Sequence, residues 1–267
     1  MLLADQNRLT RIAFPWVTVA LIALCTIGWL VELSGTPLPE ALAFNTALLA
    51  TPGDPVFWAG LFGHVFVHAG FMHLLGNMLA LWVFGDNVED AFGHLRFLGF
   101  FFATSSAGAI AYALTDGHAS LLVGASGGIA GVMAGYLLLH PRARVALLAL
   151  KGVPVSAPAS WFVGCWLGGN LLHAMGNFDN PAEPNPIAWF AHLGGFAAGL
   201  ALTIFARPAD VALFQPGLAG DAEAHWFWSR VYHLGLRDGE DYSESWPAVG
   251  RALIFFVLVG LGLLFAI

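Results

Sequence analysis

The sequence predicts an all-α membrane protein: a bundle of six transmembrane helices followed by a seventh at the C-terminus. Three observations carry that expectation. The 267 residues are 58% hydrophobic and 10% charged, with a mean hydropathy of +0.74, whereas an ordinary soluble domain is about 25% charged. Seven apolar segments each come near the ~20 residues that a bilayer requires of a helix. The basic residues are confined to alternate loops.

In chain order, a polar segment, 1–12, precedes the first apolar run, Ala13–Val31, which has no small-residue cleavage site after it and reads as a retained helix. The second run, Phe62–Phe84, carries His64, His68, His73 and Asn77. "VEDAFGHLR" then reads as a short solvated turn into the third run, Leu95–Leu114. The fourth, Leu121–His140, is crowded with glycine and contains Ser126. Asn170 and His173 fall in the fifth, Ala159–Met175, and His192 in the sixth, Ile187–Ala206. Turn-rich stretches such as "LTDGHAS" and "GNFDNPAEPNP" separate the runs. Residues 13–206 therefore form a six-span core, 207–248 a polar linker and 249–267 the seventh span, Val249–Ile267.

With residues 1–12 in the cytoplasm, all 10 Lys and Arg residues fall on that side, from Arg8, Arg11 and Arg96 through Arg142, Arg144 and Lys151 to Arg207, Arg230, Arg237 and Arg251. Only acids occupy the outer loops: Glu40, Asp54, Asp116, Asp179 and Glu183. The expected topology is N-terminus in and C-terminus out, in a bacterial inner membrane. Cys25 and Cys165 lie inside apolar runs and suggest neither a disulfide framework nor a metal site.

Polar groups inside a membrane are costly, so each is a candidate functional residue. No Asp or Glu lies deep in a span, which leaves a proton-coupled transporter or an aspartyl enzyme without its acid. At 1.5 Å per residue from the cytoplasmic span ends, Ser126 lies about 24 Å up, His192 about 22 Å and His73 about 20 Å. Asn77 is one turn below His73. Three spans thus bring polar groups to one depth. Gly127, Gly131 and Gly135 form a small-residue ridge on the fourth span, matched by Ala191, Gly195 and Gly199 on the sixth. Such ridges let helix backbones approach closely, as a serine hydroxyl about 3 Å from an imidazole requires. Ser126 also sits in the first turns of its helix, where free N–H groups and the positive dipole end favour a developing anion.

These residues resemble the rhomboid family of intramembrane serine proteases. "GASGG" (124–128) is similar to its Gly-x-Ser-Gly nucleophile motif, and "HAGFMHLLGN" (68–77) to its second-span His-x4-His-x3-Asn signature. "AHLGGFAAG" (191–199) is similar to its sixth-span histidine and glycine ridge. The resemblance implies a six-helix rhomboid-like core cleaving transmembrane segments with a Ser–His dyad. Ser126 would be the nucleophile and His192 the general base, with His73, Asn77 and the Ser126 backbone N–H as oxyanion donors. His68 would be structural, with Gly124, Gly127 and Gly195 shaping the site. It also implies single-span membrane proteins as substrates, contact with the lipid bilayer, no cofactor and no nucleic-acid partner.

There are two departures from the family pattern: Trp58 is followed by Ala59 rather than Arg, and Ala130 stands where many members place an aromatic against the histidine. His192 must then be oriented by another group. Other residues have plainer readings. His64 and His68 at i, i+4 form a structural pair, lacking the glutamate of a zinc-protease helix. Asn170 and His173 read as interfacial residues facing water, and Trp161, Trp166 and Trp189 as an aromatic belt. The rival functions are a non-catalytic relative that binds membrane proteins for quality control, and a histidine-lined ion or haem-binding protein.

Overall fold

In lipid, a spanning segment must satisfy its own backbone, which long apolar runs do by becoming helices. The computed structural model describes residues 2–5, 7, 9–37, 41–115, 120–148, 154–179 and 188–215, and the expected seventh span lies outside them. Its helices are α1 (Trp16–Leu33), α2 (Pro55–Gly63), α3 (Phe71–Phe92), α4 (His94–Thr115), α5 (Ser126–Leu139), α6 (Ala159–Asp179) and α7 (Trp189–Ala206). By length and hydropathy α1, α4 and α7 can each cross a bilayer, and the stretch Pro55–Phe66, which contains α2, meets the same criterion together with α3, the two bent by 81° at the break between them. The protein is an all-α integral membrane protein with small strand elements added at its two ends.

The bend corrects the expected second span. Phe62–Phe84 is not one helix: α3 runs Phe71–Phe92, and His64 and His68 lie in the break before it. That break is held by partners remote in sequence. The Gly124 N–H donates to the His64 carbonyl at 2.8 Å. The Cys25 thiol donates to the Val65 carbonyl at 3.3 Å. A Cβ on Gly28 would stand 2.3 Å from the Phe66 carbonyl oxygen, so the chain can pass there only because residue 28 has none.

The fourth span is also shorter than expected. Leu121–Leu122 is a strand (β3) pairing antiparallel with Phe44–Asn45 (β2), and α5 begins only at Ser126. Its 14 residues reach about 21 Å, short of the ~30 Å hydrocarbon core. Every residue from Gly127 to Tyr136 is buried, because α3, α4 and α7 all pack on α5.

At the other end, Leu2–Asp5 (β1) pairs with Arg144–Leu148 (β4), which pairs in turn with Pro154–Pro158 (β5), all antiparallel. The Asp5 carboxylate is buried and accepts from the Tyr136 hydroxyl at 2.6 Å and from the Asn87 amide at 2.8 Å. The polar N-terminal segment is thus built into the bundle.

"VEDAFGHLR" is not a solvated turn. Glu89 is fully buried and accepts from Val17 N (2.9 Å), Thr18 N (2.8 Å) and Thr18 Oγ1 (2.7 Å). It thereby satisfies the orphan donors at the start of α1, where the helix dipole favours an anion. His94 Nδ1 approaches the same carboxylate at 2.5 Å. Asp90 accepts from the backbone of Thr10, Arg11 and Ile12 at 2.7–3.0 Å. Arg11 pairs with the exposed Asp210 beyond α7 at 2.7 Å, and this hydrogen bond holds the Asp210 carboxyl below its usual range.

Candidate active site

Helix α5 starts without a side-chain cap, at Ala125. Its first helical bond runs from Ile129 N to the Ala125 carbonyl at 3.0 Å. The N–H groups of Ser126, Gly127 and Gly128 therefore face out of the helix end, where the dipole is positive. Ser126 is the first residue of this turn and is half-buried.

Helix α7 lies directly against α5. A Cβ on Gly195 would stand 2.0 Å from the Gly127 carbonyl oxygen, and one on Gly199 2.4 Å from the Gly131 oxygen. The two ridges interlock as expected, with one refinement. Gly131 receives Gly199 on its backbone, but its own missing side chain faces α4, where a Cβ would meet Thr104 Cβ at 2.4 Å. This approach sets His192 Nε2 2.9 Å from Ser126 Oγ. In lipid such contacts rest on close packing, since there is no hydrophobic drive between helices.

On the other side of Ser126, Gly124 has φ +108°, a conformation that favours glycine, and a Cβ there would stand 2.6 Å from His73 Cε1 and 2.7 Å from His73 Nε2. Asn77 Nδ2 lies 3.7 Å from the same point. That Nδ2 is buried and has no partner among the described residues. A buried donor left unpaired is costly and is available to an anion. His73 and Asn77 thus stand beside Gly124, two residues before Ser126 and the free end of α5.

The two other histidines of this region stand behind the site. The ring of His68 is fully buried and meets His73 edge-on at 5.2 Å. His64 Nδ1 lies 3.0 Å from the Gly60 carbonyl. Trp58 is half exposed and donates to the Pro52 carbonyl at 3.0 Å, fastening the turn ahead of α2.

Three residues expected at the membrane interface lie beside His192. Asn170 is 3% exposed, and its Oδ1 lies 2.6 Å from His192 Nδ1. The rings of Trp166 and Trp189 flank His192 at 5.6 Å and 6.1 Å. Ala130, fully buried on α5, supplies no ring to the imidazole. His173 is exposed and stacks on Trp189 at 4.5 Å. The sequence signal for this shell was the small residue at 130, which required another support for the imidazole.

Chemically, the arrangement can deprotonate a hydroxyl and hold a developing oxyanion. The family described as Rhomboid domain matches residues 55–209. Mitochondrial rhomboid protein 1 of Saccharomyces cerevisiae is 30% identical over 146 residues, 52% of this chain and 39% of that protein. Rhomboid-related protein 2 of Mus musculus is 31% identical over 144 residues, 53% of this chain and 46% of that protein. The rhomboid protease GluP of Bacillus subtilis is 30% identical over 193 residues, 70% of this chain and 35% of that protein. The chain thus spans less than half the length of each of these relatives.

Proposed function

The chain belongs to the rhomboid family, and we propose that within it this protein is an intramembrane serine endopeptidase that cleaves single-span membrane proteins. The observation that carries the proposal is the 2.9 Å contact between Ser126 Oγ and His192 Nε2, made across two glycine-packed helices. A non-catalytic binding protein has no need of that contact.

In the proposed reaction the Ser126 hydroxyl attacks the scissile carbonyl carbon while His192 Nε2 takes its proton. The carbonyl oxygen becomes an oxyanion held by Asn77 Nδ2, His73 and the Ser126 N–H. Collapse of this intermediate breaks the C–N bond, and the imidazolium protonates the leaving amine. Water then attacks the acyl-enzyme, with His192 again as base, and releases the acid and free Ser126. Donors left unpaired in the resting site need little reorganisation to receive the charge.

A helical substrate cannot present its carbonyl while that oxygen is bonded within the helix. Substrates are therefore segments that unwind locally near small or helix-breaking residues. The confinement of basic residues to alternate loops supports an N-terminus in the cytoplasm, with Ser126 toward the outer face of a bacterial inner membrane. A fluorophosphonate probe tests the nucleophile without a substrate. One adduct on Ser126, lost in His192→Ala, is the expected result, and labelling that persists in Ser126→Ala would refute the assignment.

A further inference from the structure

We propose that Asn170 is a positioning residue for the reaction, fixing the tautomer and ring orientation of His192; this rests on the serine-protease reading above. Asn170 Nδ2 donates to the Trp166 carbonyl at 2.8 Å, so its other terminus, Oδ1, faces His192 Nδ1 at 2.6 Å. An amide oxygen can only accept, so Nδ1 carries the proton. Nε2 is then left with its lone pair toward the Ser126 hydroxyl at 2.9 Å, the arrangement a general base needs.

The choice of amide over carboxylate follows from the surroundings. Asn170 is 3% exposed on an apolar helix, where an ionised acid would be costly. A neutral amide satisfies one donor and one acceptor there at once. Its oxygen keeps its bond when His192 becomes an imidazolium, and the bond strengthens as the donor gains charge. Trp166 supplies both the carbonyl that orients the amide and a ring against His192. The side chain supporting the base therefore comes from α6, which carries neither Ser126 nor His192.

The test uses the full chain in proteoliposomes with a single-span model substrate. Asn170→Leu keeps the volume and removes the acceptor, Asn170→Asp keeps an acceptor oxygen, and Ser126→Ala is the reference for loss of chemistry. The expected result is a fall in kcat on the order of 10²-fold for Asn170→Leu, KM within about twofold of wild type, and recovery of most of the rate in Asn170→Asp. Imidazole 15N spectra of the unmodified protein, assigned by the signal lost in His192→Gln, should show Nδ1 protonated and Nε2 bare. The inference is overturned if Ser126→Ala is inactive while Asn170→Leu turns over like wild type. An Asn170→Asp as slow as Asn170→Leu, or the opposite tautomer, would overturn it too. Activity in Ser126→Ala would overturn the serine reading itself, and this inference with it.

Discussion

Adding a single methyl group to Gly195 should disable the site while leaving Ser126 and His192 in place. A Cβ built there stands 2.0 Å from the Gly127 carbonyl oxygen, whereas a carbon–oxygen contact settles at roughly 3.3 Å. The backbones of α5 and α7 must therefore part by on the order of 1 Å. Gly127 follows Ser126 directly, and Gly195 lies one helical turn from His192, so most of that displacement falls on the 2.9 Å Ser126–His192 contact. Misplacement of about 1 Å costs on the order of 10²-fold in rate. Gly199→Ala is the graded comparison. Its Cβ would stand 2.4 Å from the Gly131 oxygen, a similar strain one turn further from the chemistry. Both variants should lose stability, each by about 1–3 kcal/mol of overpacking, but Gly195→Ala should lose far more activity. Gly168→Ala on α6, with nothing within 4 Å of the added Cβ, should match wild type. The assays are turnover of a model transmembrane substrate and the rate of fluorophosphonate labelling, each normalised to inserted protein. Equal activity in Gly195→Ala and Gly168→Ala would refute the claim that glycine packing sets the distance between Ser126 and His192.

Other substitutions give further expectations. Ser126→Ala and His192→Ala should each abolish cleavage, and the double variant should be no worse than either, as measured by turnover, because the two side chains act as a unit. Asn77→Ala and His73→Ala should each lower kcat by about 10²–10³-fold. Asn77→Ala should cost little in thermal stability, because it removes a buried donor with no partner among the described residues. Glu89→Ala should destabilise the fold by about 3–5 kcal/mol and lower the melting temperature in detergent, since it strands the Val17 and Thr18 donors at the start of α1. A Glu89→Ala protein with an unchanged melting temperature would show that the buried carboxylate is not what holds α1 in place.

The first, third and sixth spans were legible because α1, α4 and α7 are unbroken apolar runs whose ends carry turn residues or charge. The meeting of Ser126 with His192 was legible because depth and glycine spacing are both written along the chain. What the sequence hid was set by partners far away in it. The break from His64 to Gly70 reads as helix until the Gly124 N–H and the small Gly28 are brought against it. Glu89 and Asp90 resemble solvated loop acids, and only the arrival of Val17, Thr18 and residues 10–12 makes them a buried clamp. Asn170 was hidden for a different reason. Glycines at 164, 168 and 169 blur the polar and apolar faces of α6, so its periodicity does not reveal that residue 170 points at His192.

If Ser126 and His192 hydrolyse a peptide bond within a transmembrane segment, mass spectrometry of the products will show the cut itself. Purified full-length protein and its Ser126→Ala variant are each reconstituted with a single-span model substrate, and both product fragments are weighed. Wild type alone should give two complementary fragments, cut within or beside the membrane segment, whose masses sum to that of the substrate plus one water. An intact substrate with the wild-type protein, or the same two fragments from Ser126→Ala, would contradict it.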